Sequence, residues 1–154
     1  QPNRPHHQST DATAPSFSGR WKLTAVRGDM DALLAELGHD WMARKKLAKW
    51  GYGVNSFELS ISPQCDVITY VHHDTPPFQF TLNGAPQEGL AWDGSGVIVI
   101  PAWDGEDIIM ECLSRDGKKM LTKKLGLHSN STLCQTEETP GGCTARLIYT
   151  RQLQ

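Results

Sequence analysis

The stretch GDMDALLAELGHDWMARKKLAKWG, residues 28–51, is the part of the chain with clean helical periodicity. Its first half places apolar side chains at positions i, i+3, i+4 and i+7, which form one stripe on a helix. The residues of this stripe are Met30, Leu33, Leu34 and Leu37. Asp29 can cap the first turn because its carboxylate accepts free N–H groups, and Gly38 suits the position after the helix. The pattern predicts one short helix.

The second half of the stretch predicts another short helix with one apolar and one basic side. Asp40 can cap this helix and Gly51 can end it. The apolar side carries Ala43, Leu47 and Trp50, and the basic side carries Arg44, Lys45, Lys46 and Lys49. Since a single residue separates Gly38 from Asp40, the two helices must form a compact hairpin. Everything around them looks like β structure, so they are predicted to form a lid and not a helical core.

The rest of the chain alternates apolar and polar residues in short segments, as β-strands do. The predicted strands cover residues 17–26, 57–62, 66–73, 78–82, 87–92, 97–103, 108–113, 118–127 and 144–151. Asn83-Gly84, Asp104-Gly105 and Asp116-Gly117 are typical of tight turns between strands. Nine or ten strands in this meandering order predict an all-β fold, which we take to be a ten-stranded up-and-down antiparallel β-barrel capped by the helix-turn-helix lid. Such a barrel is too wide for side chains to fill, so it should hold a cavity.

Length and charge limit the classes of function. The 154 residues suffice for one domain with a real core, which we assign to residues 16–154. Residues 1–15 contain no apolar cluster and are predicted to be a disordered tail, with His6-His7 as part of it. The formal net charge of −2 predicts no general affinity for nucleic acid. No apolar run approaches the length of a membrane span, and no pattern predicts a cofactor or a metal.

The four cysteines divide into two kinds. The polar segment CQTEETPGGC, residues 134–143, looks like a hairpin tip, so Cys134 and Cys143 are predicted to form a disulfide across it. Cys65 and Cys112 lie in strand-like surroundings and are interpreted as buried thiols.

Two further features bear on localisation. Asn130-Ser131-Thr132 matches a glycosylation acceptor, and the chain starts at Gln1 and not at Met, as a processed form would. Together with the predicted disulfide they favour an extracellular, secreted protein, with the cytoplasm as the alternative.

These pieces, in this order, resemble the intracellular lipid-binding proteins, a family of fatty-acid, retinoid and bile-acid carriers within the calycins. The matching residues are Phe17 to Leu23 (FSGRWKL), the hairpin with Met30, Gly38, Arg44 and Lys45, Asp66 to Tyr70 (DVITY), Trp103-Asp104-Gly105, Asp116-Gly117, and Cys143 to Arg151 (CTARLIYTR). Lipocalins share Gly-x-Trp, but the two helices and the Trp-Asp-Gly turn make the match more specific. The resemblance covers residues 16–154. It implies a ten-stranded barrel whose helices cap the open end and whose ligand enters beside the second helix.

The resemblance also implies which residues would hold a ligand. Many members bind a ligand carboxylate with a tyrosine and two interior arginines, and the tyrosine corresponds to Tyr149. Leu147 and Cys112 stand where the two arginines are expected, and Arg146 has the parity of an outward-facing residue. Phe78 takes the place of a portal phenylalanine.

Strand parity groups Ile68, Tyr70 and His72 on one side of their strand, although periodicity alone does not say which side faces inward. By the family's parity this side faces the cavity. The predicted ligand-binding residues are Tyr149, His72, Tyr70, Ile68, Met110, Cys112, Leu147 and Trp21. The predicted portal residues are Met30, Leu34, Arg44, Lys45 and Phe78. Among the cavity residues so predicted, only His72 can carry a positive charge, and burial should keep it neutral.

The predicted function is non-enzymatic binding and transport of a small hydrophobic ligand that is lipid-like, retinoid-like or pigment-like. The ligand should be neutral, because no arginine is in place to compensate a carboxylate. The alternative is an enzyme that acts on a lipophilic substrate in the same barrel, with His72 and Tyr149 as acid and base. A third interpretation is an interaction module without a cavity ligand. We also expect a monomer whose second helix makes transient contact with anionic membrane surfaces.

Overall fold

The computed structural model describes residues 16–52, 56–72, 76–90 and 95–153. The predicted disordered tail and His73 lie outside these ranges. Within them, no helix is long and apolar enough to cross a membrane, and no three metal-ligating side chains cluster.

The described residues form ten strands and two helices. The strands are β1 (Gly19–Gly28), β2 (Ser56–Ile61), β3 (Val67–His72), β4 (Phe78–Thr81), β5 (Gln87–Leu90), β6 (Gly96–Asp104), β7 (Asp107–Leu113), β8 (Lys119–Ser129), β9 (Thr132–Glu138) and β10 (Thr144–Arg151). The helices, α1 (Met30–Glu36) and α2 (Trp41–Lys49), lie between β1 and β2. The strand order in the sheet is β4-β3-β2-β1-β10-β9-β8-β7-β6-β5, with each neighbouring pair antiparallel. The predicted ten-stranded antiparallel barrel with a helical lid is confirmed.

The two end strands of the sheet, β4 and β5, meet at a seam that side chains close. The Gln87 amide donates to the carbonyl of Thr81 at 2.7 Å and accepts from the Thr81 N–H at 2.8 Å, as a neighbouring strand would. The ring of Phe80 on β4 packs over Gly89 on β5, where even a Cβ would lie 3.3 Å from the ring. The barrel is therefore closed here without a backbone ladder.

The predicted turn at Asn83-Gly84 lies between β4 and β5, but it is not the tip of a hairpin, because β4 and β5 are not hydrogen-bonded neighbours. Asn83 forms a bridge with Ala102 on β6, and the Gly84 N–H donates to the carbonyl of Pro101 at 2.7 Å. The glycine is needed for its φ of 77°. Its turn lies against β6 and carries the chain across the seam to β5.

The lid buries its first helix much more than its second. Met30, Leu33 and Leu34 of α1 pack into the core, whereas α2 buries Leu47 alone. Both predicted N-caps are present, since Asp29 accepts from the Ala32 N–H and Asp40 from the Ala43 N–H.

The predicted apolar side of α2 is wrong at Trp50. The helix ends at Lys49, and the Trp50 side chain is 64% exposed.

Arg151 closes the base of the barrel, at the end where β1 begins. Its guanidinium carbon lies 4.4 Å from the centre of the Trp21 ring, which is fully buried. The guanidinium also donates to the carbonyls of Asn130 and Ser18, both at 2.7 Å, and to that of Ser16. One side chain therefore joins the start of β1, the β8–β9 turn and the end of β10.

The predicted disulfide between Cys134 and Cys143 is wrong, and all four thiols are free. The segment read as a hairpin tip contains a strand, β9, in which Cys134 lies opposite Ile148. The turn starts only at Thr139, whose N–H donates to the carbonyl of Cys143 at 3.0 Å. The four residue steps of strand from Cys134 to Glu138 span roughly 13 Å, about twice what a disulfide bridges. The predicted extracellular setting loses the support of the disulfide and stays a prediction.

A thiol titration of denatured, unreduced protein should therefore find four reactive cysteines per chain, because none is paired. Two reactive thiols would show that β9 and β10 pair in a different register. A denatured and reduced sample provides the count of all cysteines as the control.

Replacing Arg151 by Gln should lower the free energy of unfolding by about 3 kcal/mol, because it removes a cation–π contact and hydrogen bonds from a charged donor. The matched control is Arg115→Gln, since Arg115 is exposed and lies 3.8 Å from Glu88. That change should cost less than about 0.5 kcal/mol. Urea denaturation measures both, and equal losses would contradict the role of Arg151.

Candidate functional site

Burial alternates along the strands and identifies the inner wall of the barrel. On β10, Leu147 and Tyr149 are buried while Arg146 is exposed, as its parity predicted. On β3, Val71 is exposed while Tyr70 is half-buried. The same inner wall carries Trp21, Ile68, His72, Met110 and Cys112. The structure thus brings together the predicted ligand-binding residues, and their contact with a ligand stays a prediction.

An aromatic cluster covers the β2–β3–β10 part of this wall. The Phe57 ring lies 4.8 Å from that of Tyr149, edge to face, and 5.8 Å from those of Tyr70 and His72. The Tyr70 and His72 rings are nearly parallel, with centroids 6.3 Å apart. These four side chains form a surface that is apolar over most of its area and polar at its tips.

Tyr70 lies deep in the barrel and still keeps accessible surface. Burial raises the pKa of its hydroxyl far above the ordinary value, so the group lies deep in the protein. Nevertheless the side chain keeps accessible surface, although Leu59 and Phe78 flank it on the neighbouring strands. Tyr70 is therefore surrounded by protein without being fully covered. Cys112, on the opposite part of the wall, combines the same two properties.

Two side chains of opposite charge face the interior and were missed in the sequence. Lys123 shares its face of β8 with the buried Leu121 and Leu125. Directly opposite on β9 lies Glu137, which is only 8% exposed. Gln135, on the same face, donates to the Glu137 carboxylate at 2.5 Å. No ion pair joins Lys123 to Glu137 in the described structure.

These two charges and burial set the ionisation of their neighbours. Burial, and then the positive charge of Lys123, lower the pKa of His72, which keeps the imidazole neutral as predicted. Burial, and then Glu137, raise the pKa of Tyr149. Burial also raises the pKa of Cys112, so the thiol stays protonated. The inner wall therefore presents neutral donors and acceptors beside one positive and one negative side chain.

A signal for Lys123 was present in the sequence. Leu121 and Leu125 already mark the apolar parity of β8, and Lys123 lies on that parity. The signal for Glu137 was hidden, because the prediction of a hairpin tip left no strand to which parity could be applied. The prediction that His72 is the only cavity residue able to carry a positive charge is therefore wrong.

The predicted portal residues have different environments. Met30 and Leu34 are buried in the core beneath the lid. Arg44 pairs with Asp31 at 2.9 Å and donates to the carbonyl of His39, so it is not a free cation. The other two predicted portal residues are Lys45 and Phe78. Lys45 lies over the Trp41 ring at 5.0 Å, and Phe78 lies opposite Tyr70 on the inner side.

Glu36, at the end of α1, fastens the lid to the β9–β10 turn. The Thr139 hydroxyl donates to one carboxylate oxygen, and the Gly141 N–H donates to the other at 2.7 Å. Gly141 allows this approach, since a Cβ there would lie 2.6 Å from the carboxylate. The hydrogen bond from Thr139 is the main reason that the pKa of Glu36 is below its usual value. We name this contact the lid latch.

Comparison with known proteins shows which solved structures share this fold. No family model matches the sequence, and no curated protein does either. Solved structures match over nearly the whole chain: a protein described as the REP1-NXSQ fatty acid transporter superposes with a TM-score of 0.69 at 17% identity, covering 90% of this chain and 97% of its own. Apo lipid binding protein 8 of Caenorhabditis elegans gives 0.69 at 17%, covering 88% and 95%. This chain thus has the fold of the intracellular lipid-binding proteins that its sequence resembles.

Proposed function

We propose that this protein binds and transports a small hydrophobic ligand in the barrel cavity, without chemical conversion. The observation that carries the proposal is Tyr70, which lies on the inner wall, is surrounded by protein and yet keeps accessible surface. The neighbours in fold support it, since one is described as a fatty acid transporter and another as a lipid binding protein.

The inner wall is apolar enough to bind such a ligand without an ion pair. Ile68, Met110, Leu133 and Leu147 are buried on it, and aromatic rings cover the part nearest β2. Burial of a methylene contributes about 0.8 kcal/mol. Micromolar affinity corresponds to about 8 kcal/mol, so roughly ten buried methylenes suffice.

The charges on the wall favour a neutral head group. Lys123 and Glu137 face each other and balance, so an anionic ligand would add a net charge inside the barrel. An alcohol or an amide can donate to Glu137 and accept from Lys123 and adds no charge. We therefore still expect a neutral ligand. The reason is now that Lys123 and Glu137 balance each other, and no longer that the cavity lacks cations.

The arrangement of His72 and Tyr149 favours binding over catalysis. The Phe57 ring contacts both and separates them. The raised pKa of Tyr149 makes its hydroxyl a poor proton donor near neutral pH. An enzyme with these two residues as acid and base remains the alternative, and a new product after incubation with a lipophilic substrate would support it.

The outer side of α2 suits contact with a membrane surface. Trp41, Met42 and Trp50 are 60%, 63% and 64% exposed. Next to them lie Lys45, Lys46 and Lys49, of which Lys45 stacks on Trp41. Exposed tryptophans beside lysines are typical of surfaces that insert shallowly into anionic membranes. We infer that the lid docks there while ligand enters or leaves.

Near neutral pH a long-chain alcohol should bind at least about tenfold more tightly than the matched fatty acid, because the acid brings an uncompensated charge. Glu137→Gln should reverse this preference, since it leaves Lys123 to pair with the carboxylate. Lys123→Met should increase it. Fluorescence displacement titrations measure each affinity, and the preference should narrow as pH falls and the acids protonate.

Lys124→Met and Glu138→Gln are the matched controls, because these sequence neighbours lie on the exposed face. Neither should change the preference. Tenfold tighter binding of the acid by the unaltered protein would contradict the balance of charges, and failure of both ligands to bind would contradict the carrier itself.

The lid latch should make ligand exchange dependent on pH. The pKa of Glu36 is lowered in the docked lid, so its stabilising effect is present above the usual carboxyl pKa and is lost as pH falls through the lowered value. Glu36→Gln should speed ligand release at neutral pH roughly three- to tenfold and remove that acid dependence. Stopped-flow release kinetics measure both, with Glu106→Gln in the exposed β6–β7 turn as the control. Identical kinetics in the two variants would show that the latch does not hold the lid.

The double variant Trp41→Ala, Trp50→Ala should bind vesicles of phosphatidylcholine and phosphatidylserine about tenfold more weakly. Leu90→Ala, which removes an exposed apolar side chain from β5, should have no effect. Vesicle sedimentation measures the bound fraction. Unchanged binding of the double variant would exclude α2 as the docking surface, and loss of self-association in place of vesicle binding would assign the patch to a second copy of the chain.

A further inference from the structure

Two arginines on β1 have opposite kinds of cross-strand partner. Arg20 lies opposite Glu58 on β2, which is the usual pairing of unlike charges. Arg27, near the other end of the strand, lies opposite Arg146 on β10. Both Arg27 and Arg146 are exposed and therefore on the outer wall of the barrel.

The pairing of Arg27 with Arg146 is unfavourable by itself. Directly opposite residues have Cβ atoms only about 5 Å apart, and like charges at this spacing repel. In the described part of the chain, neither guanidinium has an ion pair or a hydrogen bond. By contrast, Lys124, two strands away from Arg146, lies within 4 Å of Asp104 and Asp107.

A groove of about 260 Å³ lies between the two arginines. Its remaining lining is Gly28, Thr136, Thr144 and Ala145. Gly28 brings β1 and β10 close, with a φ of 84° and room for no Cβ, since that atom would lie 2.7 Å from the carbonyl of Thr144. The groove thus has guanidinium groups at its rim, threonine residues beside them and no carboxylate in its lining.

Two acidic residues lie near the groove without lining it. Asp29 follows Gly28, but its carboxylate caps α1 by accepting from the Ala32 N–H at 3.0 Å. Glu138 lies opposite both Thr144 and Thr122 and is exposed. Neither forms an ion pair with an arginine of the groove in the described structure.

We propose that Arg27, Arg146 and the threonines between them form a binding site for a phosphate group on the outer wall, independent of the cavity. A guanidinium presents its donors in a planar fork that matches two oxygens of a phosphate. Two guanidinium groups on one pair of opposite residues can take different oxygens of the same group. Thr136 and Thr144 can donate their hydroxyls to the oxygens that remain. The bound dianion removes the repulsion that the empty site carries.

Titration of the full chain with inorganic phosphate tests the site by NMR, against chloride at equal ionic strength. The amide signals of Gly28, Thr136 and Ala145 should shift saturably with phosphate and not with chloride. Arg27→Gln and Arg146→Gln should each weaken binding about tenfold, as loss of a charge-assisted contact does. Arg20→Gln, on the same strand but opposite a glutamate, should leave it unchanged.

Thermal unfolding provides a second measurement, which can be made even if a variant gives poor NMR spectra. Phosphate should raise the Tm of the unaltered protein and of Arg20→Gln by more than that of Arg27→Gln, because binding to the folded state adds to the general stabilisation that phosphate gives all three. Vesicles with phosphatidic acid and vesicles with phosphatidylserine at equal surface charge distinguish the source of the phosphate. Preference for phosphatidic acid that Arg146→Gln abolishes assigns a lipid head group, and binding of inorganic phosphate with no such preference assigns a soluble ligand. Shifts that do not saturate, or that persist in both groove variants, would overturn the proposal.

Discussion

Every second residue of a strand in a closed antiparallel barrel lies inside it, and this period of two fixes most of what the interior can do. Each strand is hydrogen-bonded to the next from β4 through β1 and β10 to β5, with a register shift in three of the pairs, and side chains close the remaining seam. The pairing therefore fixes, on each strand in turn, which side chains face inward and which face outward. It places Tyr149 inside and Arg146 outside with no freedom to exchange them. A slip of one residue would invert both faces at once, which the apolar wall opposes.

The same alternation of side chains also places two charged groups inside the barrel. Lys123 and Glu137 are on the apolar parity of their strands, and burial of a charged side chain is costly unless its charge is balanced. Their position opposite each other provides that balance without a direct ion pair. Under the proposed function, an apolar body would lie against Tyr70 and Cys112, and a head group with both a donor and an acceptor would meet the two charges.

Sequence patterns predicted the fold because its signals are local. Helical spacing from Met30 to Leu37, the two aspartate caps and the alternating strands are each decided within a few residues. The failures involve partners distant in sequence. The segment from Cys134 to Cys143 has turn chemistry at one end, and its strand is stabilised by pairing with β8 and β10, which composition does not show. The seam was missed for the same reason, since Gln87 closes it through Thr81. The alternation of inward and outward side chains predicted part of the candidate site. It could not predict Glu137, because the sequence pattern did not identify β9 as a strand.

The carrier account depends on the cavity being occupied in the protein as it exists in its source. Native mass spectrometry of the protein isolated from that source tests this most directly. The account predicts a mass above that of the polypeptide by one small molecule, which organic solvent removes and which proves on extraction to be apolar with an uncharged head. A bare polypeptide mass, with nothing extracted and no uptake of a long-chain alcohol afterwards, would contradict it.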